Sequence, residues 1–159
     1  MILEKLSLIN FKNIDNNSLQ NGDFINCFIG ENGVGKTNVL DTIYQLAMTK
    51  TYFGSKLSQS KKHDCDFMLI DGKFKKDQKE EHVVNSLKRG EKRVIKRNGK
   101  KYKKFSDHIG FISVVMISPY DIDLIQEGSS TRRKFVDHII SQNNKPVSYT
   151  HLRAHETPR

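Results

Sequence analysis

The sequence has no tryptophan, only three prolines and only two cysteines, Cys27 and Cys65. Two thiols so far apart provide neither a disulfide framework nor a metal-ligand spacing. His63-Asp64-Cys65-Asp66 collects ligand-type residues, but neighbours along an extended chain point to opposite sides and do not converge on one ion. Long apolar runs are also missing. The longest, residues 110–117, is far too short to span a bilayer. The first five residues lack the charged-then-apolar layout of a secretory leader. No Ser/His/Asp or Cys/His arrangement is supported. The expectation is a protein of a reducing cytoplasm with no membrane partner.

Acidic residues are scarce in one place. Residues 88–104 hold ten basic side chains and a single acid, Glu91, whereas the rest of the chain is electrically balanced. The net charge of +9 is therefore local. Such a patch suits a polyanionic partner better than a diffusely basic surface does. Within it, Asn98-Gly99 is a strong hairpin signal, because both residues tolerate positive φ. A two-residue turn there sets Arg97 against Lys100, Lys96 against Lys101 and Arg93 against Lys104, with Ile95 and Tyr102 as a small apolar anchor. Like charges placed opposite are destabilising. Phosphates would relieve them, which makes Arg93, Lys96, Arg97, Lys100, Lys101 and Lys104 candidate nucleic-acid contacts. The alternative is a solvated edge hairpin, since lysines also protect sheet edges.

The sharpest motif is Gly30-Glu31-Asn32-Gly33-Val34-Gly35-Lys36-Thr37, which fits the P-loop pattern G-x-x-x-x-G-K-[ST]. Glycines let the backbone curl so that successive N–H groups point at phosphate oxygens. Lys36 brings a compact charge to the β- and γ-phosphates, and Thr37 offers a hydroxyl to Mg²⁺. The apolar residues 24–29 predict a strand before the loop, and Val39, Leu40, Ile43, Leu46 and Ala47 predict a helix over about 36–49 after it. A dinucleotide fingerprint fails because Asn38 stands where its third glycine belongs. Phe67-Met68-Leu69-Ile70-Asp71 has the look of a Walker B strand, but Gly72 follows where a catalytic acid is expected. A strand ending in a turn at Asp71-Gly72 is the preferred reading.

Further strands are predicted at 3–11, 67–74, 82–87, 93–97 and 111–117, with a short turn or helix at 121–126. A last helix opens near Ser129 or Ser130, with Phe135, Val136, Ile139 and Ile140 on one face. Arg132-Arg133-Lys134 at its start opposes the helix dipole, which suits an anionic partner or a plain solvated face.

Leu6-Ser7-Leu8-Ile9-Asn10-Phe11-Lys12-Asn13, the P-loop with its preceding residues, Val114-Val115-Met116-Ile117-Ser118-Pro119-Tyr120-Asp121 and Gly128-Ser129-Ser130-Thr131-Arg132-Arg133-Lys134-Phe135-Val136-Asp137 form a set of segments. Together they resemble the RecF family of the SMC/ABC class. Tyr120 replaces the family's usual acid and Ser130 its usual proline. The resemblance implies an α/β P-loop NTPase, an ABC/SMC-type head present only as its N-terminal lobe, with an antiparallel β-subdomain. It implies ATP and Mg²⁺ as ligands, Lys12 near the phosphates and an ATP-dependent homodimer. It also implies binding of duplex DNA or single-/double-strand junctions, RecR as partner, and RecO and RecA in the same pathway, where the family promotes RecA loading at gaps. The Walker B and signature motifs of the family lie beyond this chain, so turnover is left open. A small NTP-binding or kinase-type P-loop protein, or another SMC-like ATPase, is the alternative.

Residues 1–145 form the RecF-like unit. Residues 146–159 change composition, losing lysine, isoleucine and asparagine, and Ser148-Tyr149-Thr150-His151-Leu152-Arg153-Ala154-His155-Glu156-Thr157 resembles a translated sequencing adapter. That tail is expected to be non-native.

Overall fold

The computed structural model describes residues 1–53, 57–122, 126 and 128–143. The proposed tail at 146–159 lies outside them. Six strands make one antiparallel sheet: β1 (Ile2–Phe11), β2 (Ile14–Gln20), β3 (Phe67–Lys76), β4 (Lys79–Lys88), β5 (Val94–Arg97) and β6 (Lys100–Lys101). Their spatial order is β2-β1-β3-β4-β5-β6. Helix α1 (Lys36–Met48) packs on β3 and β4, and a second helix, α2 (Ser129–Asn143), follows the sheet in sequence.

Alternation explains β1. Leu6 and Leu8 are fully buried, while Ser7 and Ile9 are only half-buried. Met68, Ile70 and Phe74 on β3, Val83 on β4 and Ile95 on β5 continue the same buried face. Gly72 marks where α1 comes closest. A Cβ there would stand 2.7 Å from Leu46 Cδ1 and 2.7 Å from Phe74 Cε2. Strand β2 escapes the periodicity test because Asp15, Asn16, Asn17 and Ser18 face solvent, as suits the edge of a sheet.

Four expectations are corrected. Strand β3 does not stop at Asp71-Gly72 but runs on to Lys76, and the turn falls at Asp77 and Gln78, both with positive φ. Strand β6 is only two residues long, so Arg93 does not face Lys104, although Arg97 faces Lys100 and Lys96 faces Lys101 as anticipated. Residues 24–29 and 111–117 are not strands. Phe24, Ile25 and Ile29 are 93%, 87% and 93% exposed, and Val115 and Ile117 are 71% and 81% exposed. Both segments have strand-like composition, but a strand needs a neighbour to satisfy its backbone, and no described strand pairs with either. One partial substitute exists. The Gln142 carboxamide accepts from the Val114 N–H (2.8 Å) and donates to the Val114 carbonyl (3.0 Å), as a neighbouring strand would.

The face of α1 is also rotated from its expected position. Leu40 is 44% exposed, whereas Asp41, Thr42 and Gln45 are buried beside Val39, Tyr44, Leu46, Ala47 and Met48. The reason lies in the polar partners these residues find: Lys12 and the Tyr52 N–H for Asp41, the Val39 carbonyl for Thr42 and Ser60 for Gln45. On α2 the predicted apolar face is half in solvent: Val136, Ile139 and Ile140 are 49%, 40% and 41% exposed. Phe135, His138, Ile139 and Gln142 line a small cavity with Tyr44, Met48, Tyr52 and Val114.

Candidate nucleotide site and basic hairpin

The loop at 30–37 sits on the surface, between the turn that joins β1 to β2 and the start of α1. Gly33 (φ 86°) and Gly35 (φ 107°) adopt the left-handed backbone that only glycine takes easily. Gly35 is the N-cap of α1. Among the described residues no side chain caps this end, and the first turn carries no acid. Its leading N–H groups therefore present partial positive charge outward, as an anion site requires. The Lys36 ammonium folds back over the loop and donates to the carbonyls of Gly30 and Glu31, each at 2.7 Å. Thr37 follows on the first turn of α1, where its hydroxyl could meet a metal ion held by phosphates. Glu31, Asn32 and Val34 are exposed around the rim.

Lys12 meets the helix that this loop opens rather than the loop itself. Its ammonium donates to Asn38 Oδ1 (3.1 Å) and Asp41 Oδ2 (3.0 Å). Asp41 is fully buried and serves as a hub: Gln45 Nε2 donates to Oδ2 and the Tyr52 backbone N–H donates to Oδ1. Tyr52 extends the network, because its hydroxyl lies 2.6 and 2.7 Å from the two Asp121 oxygens. Burial pushes the Asp121 carboxyl up, but the Tyr52 hydroxyl and the Ser118 N–H outweigh it and hold the group below its ordinary value. Burial, with Tyr52 and Asp41 nearby, pushes the Tyr44 hydroxyl up to about 12. Sequence reading missed Asn13, Asn38, Asp41 and Tyr52. The available signal was a short run of polar residues, Asp41, Thr42 and Gln45, inside an otherwise apolar helical pattern.

Asp71, the Walker B look-alike, lies within the antiparallel sheet opposite Val84. The His82 ring nitrogen is 2.8 Å from its carboxylate. It belongs to the β3–β4 ladder rather than to the phosphate loop.

In the basic hairpin the two arginines turn inward and the lysines outward. Asn98 (φ 48°) and Gly99 (φ 79°) form the anticipated turn, Ile95 is buried, and Tyr102 packs against the core. Arg93 donates to Asn85 Oδ1 (2.8 Å) and to the Thr49 carbonyl, and stacks over the Phe105 ring. Burial lowers its pKa to about 10. Arg97 makes a two-pronged pair with Glu81, at 2.9 and 2.8 Å, and covers the Phe111 ring at 3.6 Å. Hydrogen bonds from Arg97, then from Asn98, hold Glu81 below its usual range. Lys96, Lys100, Lys101 and Lys104 are exposed. The structure thus divides the six candidates into two structural arginines and four lysines on the surface.

A family model described as AAA ATPase domain matches residues 1–154. The chain belongs to the AAA ATPase domain family. It is 56% identical over 142 residues to the DNA replication and repair protein RecF of Flavobacterium johnsoniae, which covers 89% of this chain and 40% of that protein. RecF of Phocaeicola vulgatus is 47% identical, over 91% of this chain and 39% of its own length. The chain thus spans about two fifths of the length of these relatives. Among solved structures, the recombination mediator protein RecF-ATPrS in the RecFOR pathway superposes with a TM-score of 0.85 at 34% identity, over 91% of this chain and 39% of that one. An SMC ATPase structure superposes at 0.71 with 18% identity, over 87% of this chain and 99% of that one, a likeness of fold. The RecF resemblance and the partial ABC/SMC-type head with its antiparallel sheet, both read from the motifs, hold. No helix among the described residues is long and apolar enough to cross a membrane.

Proposed function

We propose that this chain is the nucleotide-holding part of a RecF-type DNA replication and repair ATPase. The observation that carries the reading is the loop at 30–37 opening onto the uncapped start of α1, in a chain 56% identical to a RecF. ATP is the ligand, with its phosphates over Gly30, Glu31, Asn32, Gly33, Val34 and Gly35. Lys36 and Lys12 neutralise charge there, and Thr37 holds Mg²⁺, which supplies electrostatic stabilisation of the phosphates when bound.

The site is composite. The exposed apolar side chains of Phe24, Ile25, Ile29, Val115 and Ile117 support completion of the head by strands from the remainder of a RecF-length protein. An ATP-dependent homodimer supplies the second side. DNA binds through the exposed lysines of the β5–β6 hairpin, by phosphate contacts that give affinity without sequence specificity. RecR, with RecO and RecA in the pathway, are the protein partners, and RecA loading at gaps is the outcome.

Calorimetric titration tests the nucleotide reading. The protein binds ATP in a Mg²⁺-dependent manner, and Lys36→Ala weakens binding by about 30-fold or more, the scale of lost hydrogen bonds to a charged group. Equal affinity of the Lys36→Ala protein would overturn it.

A further inference from the structure

The turn joining β1 to β2 consists of Lys12 and Asn13 between the paired residues Phe11 and Ile14. Lys12 sits there at φ 49°, a conformation a lysine adopts only when its surroundings hold it. Phe11 is fully buried and Ile14 nearly so, and the Lys12 N–H donates to the Ser60 carbonyl at 2.8 Å. The turn is therefore firmly seated. The Asn13 side chain meets the phosphate loop, and both side chains meet the helix it opens.

Asn13 makes the contact that matters for the loop. Its Nδ2 donates to the Gly33 carbonyl at 2.9 Å, and its Oδ1 accepts from Asn38 Nδ2 at 2.8 Å. A carbonyl can only accept, so the orientation of the Asn13 amide is set by its partner. Asn13 also lies flat against Gly35, where an added Cβ would stand 3.0 Å from Oδ1 and 3.2 Å from Nδ2.

The consequence follows from peptide geometry. In a planar trans peptide the C=O and N–H point in opposite directions. Capture of the Gly33 carbonyl by Asn13 therefore aims the Val34 N–H away from Asn13. A Cβ on Gly33 would meet no described atom within 4 Å, so no packing at the Gly33 Cα opposes a turn of this peptide. A glycine peptide free of packing flips readily, and the flipped form would present a carbonyl oxygen to a phosphate.

We propose that the β1–β2 turn is a clip that sets the phosphate loop, with Asn13 as a positioning residue for the Gly33–Val34 peptide. The clip is anchored through Asn38, Lys12 and the buried Asp41. The ligand class, a nucleoside triphosphate, rests on the function proposed above. The clip itself does not, because its geometry is present in the protein alone.

Two measurements on the full chain test it, using wild type, Asn13→Ala and Asn13→Asp. The aspartate keeps the shape and removes the donor, so it carries the test even where the alanine protein folds poorly. First, ¹⁵N relaxation dispersion without nucleotide: the Val34 amide is flat in wild type and shows millisecond exchange in both variants, at an unchanged melting midpoint. Identical Val34 behaviour in wild type and Asn13→Asp overturns the clip. Second, ATP titration with Mg²⁺: Asn13→Asp weakens binding by about tenfold, the scale of one orienting hydrogen bond, and a change within about twofold overturns the positioning role. A wild-type protein that takes up no ATP overturns the nucleotide reading alone, while the Val34 amide still decides the clip.

Discussion

The Lys12 ammonium lies 3.0 Å from the carboxylate of Asp41, whose side chain is fully buried while that of Lys12 keeps 21% exposure. A carboxylate taken wholly out of water persists only where partners offset its lost hydration. Here Lys12, Gln45 and the Tyr52 N–H provide them. The pair ties the β1–β2 turn to the first turns of α1, on which the phosphate loop rests.

Asp41→Ala removes the acceptor of the Tyr52 N–H and one of the two acceptors of both Lys12 and Gln45. The expected loss of stability is about 3 kcal/mol, the range for breaking a buried pair. Urea denaturation measures it. A loss below about 1 kcal/mol would place the interaction with ordinary surface pairs.

The two kinds of basic residue in the hairpin should separate cleanly. Lys96→Glu with Lys101→Glu is expected to leave the melting midpoint nearly unchanged and to weaken DNA binding for all sequences alike. The slope of log K against log salt should flatten by about 2, close to one unit per lysine. Arg93→Ala should instead cost about 2 kcal/mol of stability through lost packing on Phe105 and unpaired polar groups at Asn85 and Thr49. Unaltered DNA affinity in the lysine variant of a RecF-length protein would rule the hairpin out as a contact.

His108 makes stability depend on pH. The ring is buried, Nε2 meets the Leu46 carbonyl, and Nδ1 has no partner among the described residues. Burial lowers its pKa from 6.5; the Leu46 carbonyl opposes that shift, and Arg93 and Arg97 add to it. The folded state thus prefers the neutral ring. Its contribution is complete above the unfolded value of 6.5 and is lost as pH falls from there towards the lower folded value. Melting midpoints should fall between about pH 7 and pH 5.5, and His108→Gln should flatten that part of the profile.

Two glycines are predicted to differ in tolerance. At Gly110 (φ 84°) a Cβ would stand 2.2 Å from the Gln142 carbonyl oxygen, which is backbone and cannot rotate away. Gly110→Ala should cost at least about 2 kcal/mol and loosen α2. At Gly72 the obstacles are the ends of Leu46 and Phe74, which can shift, so Gly72→Ala should cost about 1 kcal/mol. Thermal denaturation of both variants orders them.

The phosphate loop, the helix after it, β1 and the Asn98-Gly99 turn were legible because each depends on local chemistry. Glycines at fixed offsets, a lysine beside a threonine, a period of two or of 3.6 and two residues tolerant of positive φ act over a few neighbours. Strand pairing and burial of polar groups are not local. Residues 24–29 have a strand's composition but no neighbour among the described strands, and β2 has little apolar pattern yet pairs along nearly its whole length with β1. The same holds for charge. Arg93 and Arg97 look like Lys96 and Lys101 in sequence. Only the approach of Thr49, Glu81, Phe105 and Phe111 from elsewhere in the chain turns the arginines inward. The sequence by itself determined the glycine-rich loop at 30–37 and the helix that it opens. Tertiary structure decided that Asn13 bonds the Gly33 carbonyl and that Lys12 meets Asp41, because a hydrogen bond between residues tens of positions apart exists only once the chain has folded.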